Sequence, residues 1–263
     1  MRWTFVIAYY NEAEYLPATL DSLKAQTLKP FRLILVDNGS TDGTADLARA
    51  AMADADGIET LFLSESKPGK IHALETAMPH IDTPFVGFGD ADTFYPPDYL
   101  ATADRAFAAG GARRVAVMAV DVPAPADGPA ARRKRFIRSR IAARLWPKQT
   151  HTGGFGQTFR TDALRRAGGY SSSYWPYVLM DHEIMQRVLK HGHAAYPADF
   201  WCIPSPRRAD RRRVRWTVAE RVLYHLTPFA MKDWYFYRFL GPRLAARKLT
   251  HLNLREKSWL EPK

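Results

Sequence analysis

Asp90 and Asp92 are two carboxylates separated by one small residue, Ala91, at the end of the apolar run Pro84-Phe85-Val86-Gly87-Phe88-Gly89. Such a run reads as a buried strand, and the ligand site of an open α/β sheet lies beyond the carboxyl ends of its strands. Carboxylate oxygens placed there suit hard cations such as Mg2+ or Mn2+, which share their coordination with phosphate. Ala91 leaves room for a bulky ligand close to the backbone. Taken alone, Asp-x-Asp also describes an ordinary solvated corner between strand and loop. The order of elements around it decides between the two.

Short β-type apolar runs alternate with amphipathic helical stretches from the first residues onward, the pattern of βαβ units around a mostly parallel sheet. Strands are predicted over residues 3–8, 32–36, 59–63, 84–89 and 114–122, and helices over 14–26, 45–52, 70–78, 96–109, 161–167 and 180–191. Asp37-Asn38-Gly39-Ser40-Thr41-Asp42-Gly43-Thr44 is a turn dense in residues that start helices. Residues 123–129, rich in proline, form a linker, and a basic amphipathic helix follows to about Trp146. Thr152-Gly153-Gly154-Phe155-Gly156 turns tightly before a further extended stretch. The expected architecture is an α/β domain over residues 1–215, with a first half to residue 122 and a second from 123. A helical, basic, aromatic-rich extension covers residues 216–263.

With 263 residues and 46% hydrophobic content, the chain can bury one large core. No stretch approaches the roughly 20 apolar residues that span a bilayer. The opening residues pass directly into a strand without the basic and apolar blocks of a signal peptide, which places the chain, as an expectation, in the cytoplasm or on the inner face of the cytoplasmic membrane. The single cysteine, Cys202, excludes an internal disulfide. The formal net charge is +11, and its basic part is concentrated in residues 132–140 and 207–216. The partner of this second half is expected to be anionic.

Four pieces stand in order: Val6-Ile7-Ala8-Tyr9-Tyr10-Asn11-Glu12, Val36-Asp37-Asn38-Gly39-Ser40-Thr41-Asp42, Asp90-Ala91-Asp92, and Gly168-Gly169-Tyr170 followed by Met180-Asp181-His182-Glu183-Ile184. Together they resemble the glycosyltransferase family 2 pattern over roughly residues 3–196. The resemblance implies a GT-A fold, a Rossmann-like sheet flanked by helices, and an inverting, nucleotide-sugar-dependent transferase. Two departures are visible: Ala8 stands where the family often has proline, and Met180 replaces the acidic residue that usually precedes the catalytic aspartate.

The resemblance assigns roles that elementary chemistry can support. Uracil of a UDP-sugar donor would meet Asp37, whose carboxylate accepts the imide N–H, with Tyr10 near the ring and Ala8 and Glu12 completing the pocket. The competing role for Asp37 is to cap its own turn. Lys70, at a helix start, can offer the diphosphate both an ammonium and the positive end of the helix dipole, or can be simply solvated. Asp90 and Ala91 would lie against the ribose and Asp92 would ligate the metal, a Lewis acid for the leaving diphosphate. Asp181, in the first turn of its helix, is the candidate general base; Glu183, about 200° around the axis, cannot share that task. Capping of the helix is the competing role for Asp181. Gly153 to Gly156 would wall the donor sugar. Arg212-Arg213-Val214-Arg215-Trp216 partly matches the Gln-x-x-Arg-Trp motif of processive members, without its glutamine.

The helix ending near Trp146 mixes Phe136, Ile137, Ile141 and Leu145 with arginines and no acid, a composition for an anionic headgroup layer. Aromatics mixed with cations in the extension fit an interfacial site or ordinary helix packing. The expected acceptor is therefore a hydroxyl on a lipid or lipid-linked glycan, with a soluble enzyme acting on a small molecule or polysaccharide as the alternative. A nucleic-acid binder has only the net charge in its favour, so nucleic acid is not an expected partner. A sugar nucleotidyltransferase would need a glycine-rich loop where Tyr9-Tyr10-Asn11-Glu12 stands. A non-catalytic descendant fits poorly with the presence of Asp37, Asp90, Asp92 and Asp181 together.

Overall fold

The computed structural model describes residues 1–123, 128–149, 151–205 and 217–255. Its first half winds as β1 (Trp3–Tyr9), α1 (Leu16–Lys24), β2 (Phe31–Asp37), α2 (Thr44–Met52), β3 (Ile58–Ser64), α3 (Lys70–Ala77) and β4 (Phe85–Asp90). These four strands are parallel; β1, β2 and β4 read as near-continuous apolar runs because both faces are covered, while β3, at the sheet edge, is half-exposed and carries Glu59, Thr60 and Ser64. Period-two alternation splits their side chains: Val6, Ile34 and Val36 face one buried layer, while Phe5, Ile7, Leu33 and Leu35 face the other. Gly89 in β4 is required by close approach, since a Cβ there would lie 2.6 Å from both the Phe5 ring and the Tyr95 hydroxyl.

The second half adds β5 (Thr93–Phe94), α4 (Tyr99–Gly110), β6 (Arg114–Met118), β7 (Val120–Asp121), α5 (Gly128–Leu145), β8 (Gln157–Arg160), α6 (Thr161–Arg166), α7 (Met180–Val188), β9 (His193–Ala195) and β10 (Trp201–Pro204). The main sheet has seven strands in the order β3-β2-β1-β4-β8-β6-β9, with β8 antiparallel to both its neighbours. A small second sheet, β5-β10-β7, flanks it. The expected mostly parallel α/β sheet flanked by helices is thus present.

The stretch predicted as one strand over residues 114–122 is divided at Ala119. There the amide of Ala119 donates to Gly156 O (2.8 Å) and its carbonyl accepts from Thr152 Oγ1, so the chain leaves the main sheet and enters the small one. The predicted helix over 96–109 begins only at Tyr99, whose amide bonds back to Pro96 O at 2.9 Å, because Pro96 and Pro97 each disfavour helical backbone in the residue before them.

The extension supplies α8 (Val218–Leu226), a π-helical segment Trp234–Leu240, and α9 (Gly241–Ala246). Tyr224, Tyr235, Phe236, Leu240 and Leu244 join the same apolar layer as Val6 and Ile184. Among the described residues no helix is long and apolar enough to cross a membrane.

Candidate active site

Strand register brings the site to one edge. Ala8 pairs with Val36 on one side and Asp90 on the other, and Tyr9 pairs with Asp37, so the ends of β1, β2 and β4 are level. Immediately beyond β4, Asp90 and Asp92 are both buried. The backbone between them is fixed, because Ala91 O accepts from Thr19 Oγ1 of α1 at 2.9 Å and Asp92 O accepts from the Ser205 amide at 3.1 Å. The Asp90 amide donates to Tyr95 Oη (3.1 Å), which donates in turn to Phe155 O (3.0 Å). Burial, reinforced by nearby Cys202 and Asp90, pushes the Tyr95 phenol well up, so this bridge stays neutral and intact.

Lys70 opens α3, and its ammonium is bonded to the Asp90 carboxylate. The sequence gives Lys70 a phosphate to meet; the structure gives it a carboxylate partner as well. The position of Lys70 follows from Asn38, whose Nδ2 donates to the carbonyls of Glu65 (3.0 Å) and Lys67 (2.8 Å) and whose Oδ1 accepts from the Gly69 amide (2.7 Å). That clamp had no sequence signal beyond its turn composition.

The loops after β1 and β2 are laced together. Asn11 adopts a left-handed conformation (φ 51°), its amide donates to Ser40 Oγ (3.0 Å), and its Oδ1 accepts from the Thr41 amide (2.8 Å). The Glu12 amide donates to Thr44 Oγ1 at 2.9 Å. Asp37 Oδ1 accepts the Ser40 amide at 3.0 Å, so this half-buried carboxylate does cap its turn. Tyr9 beside it is raised to about 12, by burial first and the Asp37 charge second. Tyr10 and Glu12 lie on the same rim.

Gly154 marks where the two halves meet. A Cβ on it would sit 3.8 Å from Asp181 Cβ and 3.9 Å from Lys70 Nζ, so Lys70, Asp90 and Asp181 surround one bare piece of backbone. Asp181 lies in the first turn of α7, as expected, and its Oδ1 accepts the adjacent His182 amide at 3.0 Å. Gln157 of β8 holds this turn by donating to Asp181 O (3.0 Å) and Thr152 O (2.9 Å), and accepts from Tyr170 Oη (3.2 Å). The buried Tyr170 phenol is pushed well up, by desolvation first and then by the Asp181 charge.

Glu183 faces away from this group. It is buried and forms a two-bond pair with Arg187 (2.7 and 2.9 Å), and the Tyr237 hydroxyl bonds to it as well. Beyond Asp181, His182 packs 5.4 Å from His151 and 5.7 Å from Tyr224 of α8, measured between ring centroids. Gln157, His151 and Tyr224 escape sequence reasoning because each reaches the site only through tertiary packing, and Tyr170, present in the Gly168-Gly169-Tyr170 piece, receives no role from the sequence pattern. The arginine-rich residues 207–216, with their partial match to the processive motif, lie outside the described residues.

Among the described residues no three His, Cys, Asp or Glu side chains gather into a ready metal cage. What β4 offers instead is hard carboxylate oxygen beside an ammonium. This donor set fits a Mg2+ or Mn2+ ion that takes the rest of its ligands from phosphate and water.

A parallel sheet with an acidic edge beyond β4 and a second acid opposite it is the arrangement of GT-A glycosyltransferases. Residues 4–168 match the family described as Glycosyl transferase family 2, and the chain belongs to it. It is 39% identical over 90 residues to the teichoic acid poly(glycerol phosphate) polymerase of Staphylococcus epidermidis, covering 34% of this chain and 12% of that protein. It is 34% identical over 98 residues to the undecaprenyl-phosphate 4-deoxy-4-formamido-L-arabinose transferase of Serratia proteamaculans, covering 36% of this chain and 30% of that one. The aligned parts thus span well under half of the curated relatives. In structure it resembles the mannosyltransferase PcManGT of Pyrobaculum calidifontis, solved with GDP-Man and Mn2+, with a TM-score of 0.69 at 23% identity over 94% of this chain and 73% of that one. S. aureus TarS 1-349 with UDP-GlcNAc gives a TM-score of 0.60 at 17% identity over 93% and 73%.

Proposed function

We propose that this protein is an inverting, metal-dependent hexosyltransferase that moves a sugar from a nucleoside-diphosphate donor, a UDP-sugar, to a hydroxyl of a lipid or lipid-linked glycan. The observation that carries this reading is the convergence of Lys70, Asp90 and Asp181 around Gly154. A base rim, a cationic and acidic centre and a second acid opposite supply the three contacts that glycosyl transfer needs. The name of one curated relative, an undecaprenyl-phosphate sugar transferase, supports a lipid-linked acceptor.

In this mechanism Asp37, Tyr10, Ala8 and Glu12 receive the base, and Asp90 and Ala91 lie against the ribose. Lys70 neutralises the diphosphate, and Asp92 would hold a divalent ion, which when bound supplies Lewis-acid stabilisation of the leaving diphosphate. Asp181 takes the proton of the acceptor hydroxyl as that oxygen bonds to the anomeric carbon. The bond from that carbon to the diphosphate oxygen breaks on the opposite face, which inverts the centre. The nucleoside diphosphate departs as an anion and the proton remains on Asp181.

Asp181→Asn is the direct test. It should retain donor binding by titration calorimetry and lose transfer by about 100-fold or more, the scale of a missing general base. Unchanged turnover would place the base elsewhere. Thermal shifts with uridine and guanosine diphosphates in Mn2+ separate the two bases found in the structural relatives, and a larger shift with GDP would overturn the uracil assignment.

A further inference from the structure

We infer that α5 and α8 together form a docking face for an anionic lipid bilayer. No residue of α5 is buried, and no acid occurs along its length. Two of its arginines fasten it to the body: Arg135 pairs with Asp121, and the Arg132 guanidinium stacks 3.8 Å above the Trp201 ring. The remaining cations, Arg133, Lys134, Arg138, Arg140 and Arg144, are exposed. Ile137, Ile141 and Leu145 are exposed as well (48, 54 and 61%) and recur every four residues, so they form one stripe. A groove of about 400 Å³ beside this helix is lined by Phe136 and Ile137 with Arg132, Arg133 and Arg140.

The second helix repeats the arrangement. In α8, Val218, Val222 and Leu226 are exposed (80, 50 and 72%), again at intervals of four. Its acid, Glu220, is turned inward, closing a capping box with Thr217 and pairing with Arg243 and Arg247. A helix with its carboxylate inside and its aliphatic stripe outside has the polarity expected when that stripe is covered.

The two helices are joined at one end. Trp146, itself exposed, lies 6.3 Å from the His225 ring, Lys148 Nζ sits 4.3 Å above the Phe229 ring, and Gln149 Nε2 donates to Thr227 O at 2.9 Å. Among the described residues, Asp121 is engaged by Arg135, Asp199 beside the groove by Arg105, Glu220 by Arg243 and Arg247, and Asp233 by Lys190. Aliphatic stripes bordered by uncompensated cations, with Trp146 at the junction, match an anionic headgroup layer above acyl chains. They match a nucleic acid poorly, since phosphate has no use for exposed aliphatics. Tyr224, on the inner side of α8, touches His182 next to Asp181, so a docked enzyme keeps this side of the cleft near the lipid surface.

Flotation of the full chain with vesicles tests this independently of transfer. Binding is expected to phosphatidylcholine vesicles containing phosphatidylglycerol at low salt, to fall at high salt, and to be absent with phosphatidylcholine alone. Val222→Ser with Leu226→Ser, and separately Arg138→Ser with Arg140→Ser, should each weaken binding by on the order of 10-fold or more. All four positions are exposed, and unchanged urea midpoints would show that the variants fold. Absence of binding to anionic vesicles at low salt overturns the inference. So does a dimer in light scattering that dissociates in the Val222→Ser, Leu226→Ser variant, which would make a second copy the occupant. Tight binding to duplex DNA that the aliphatic changes leave intact, without vesicle binding, would overturn it in favour of nucleic acid.

Discussion

Asp90 and Asp92 carry the same group two residues apart, yet the fold separates their duties. Asp90 is committed to Lys70, and the backbone on either side of Ala91 is anchored to α1 and to Ser205. Under the proposed mechanism, donor binding must transfer the Lys70 ammonium from sharing with one carboxylate to sharing with a diphosphate. Lys70→Gln should therefore weaken donor binding in calorimetry by about 10- to 100-fold, the range of one hydrogen bond to a charged group. Asp92→Ala should remove the Mn2+ dependence of donor binding, and chelation by EDTA should abolish wild-type turnover. Turnover that survives EDTA would refute the metal role. The acids themselves were legible from residue type and strand-end position. Their supports were not, because Tyr95 reaches Asp90 and Phe155 only once β4 and the loop before β8 are packed together. Asn38 likewise reads as turn chemistry and acts as the clamp that starts α3.

At the scale of elements, α7 is held by a buried ion pair rather than by propensity. It is entered through Leu179 in a left-handed conformation (φ 65°), a cost that its packed surroundings must offset. One turn further on, Glu183 and Arg187 are almost wholly enclosed, with Arg187 also bonded to Ala167 O and stacked 4.5 Å over Tyr174. Arg187→Met leaves a carboxylate in an apolar layer, and should destabilise the protein by about 3–5 kcal/mol in urea unfolding. Glu183→Leu combined with Arg187→Met should recover most of that loss, since the uncompensated charge is gone. A double variant as unstable as the single would mean that the hydrogen bonds to Ala167 and Tyr237, not the charges, fix the helix. Strands β1, β2 and β4 were readable because burial on both faces leaves few polar residues in them, and the half-exposed edge strand β3 was readable from its Leu61-Phe62-Leu63 run. The division of residues 114–122 was not readable, since the break at Ala119 is imposed by Gly156 and Thr152 from a distant loop. The separation of Asp181 from Glu183 followed from helical geometry alone.

Over the whole molecule, the extension is part of the core. The sequence left its aromatics divided between packing and an interface, and the structure assigns Tyr224, Tyr235, Phe236 and Leu240 to the interior while Leu226, Met231 and Trp234 stay exposed. That division could not be read from a 3.6-residue period, because Trp234–Leu240 is π-helical and its faces follow a different spacing. Lys232 closes the assembly: buried, it donates to Tyr224 O and lies 3.6 Å above the same ring, which caps the end of α8. Burial lowers its pKa from 10.5 to about 8. Between about pH 8 and 10 the unfolded chain therefore binds a proton there that the folded chain does not, so Lys232 contributes a rise of stability with pH across this window. At 1.36 kcal/mol per unit the full effect is at most about 3 kcal/mol, and the carbonyl and ring facing the ammonium reduce it. The buried thiol and phenols work in the opposite direction: burial raises Cys202 and the phenols of Tyr9, Tyr95, Tyr170 and Tyr224, so from about pH 9 upward the unfolded chain loses protons that the folded chain keeps. The excess of the wild-type urea midpoint over that of Lys232→Met, in which the thiol and the phenols cancel, should therefore climb from about pH 8 to 10. An excess that stays flat over that range would leave Lys232 as a neutral cap.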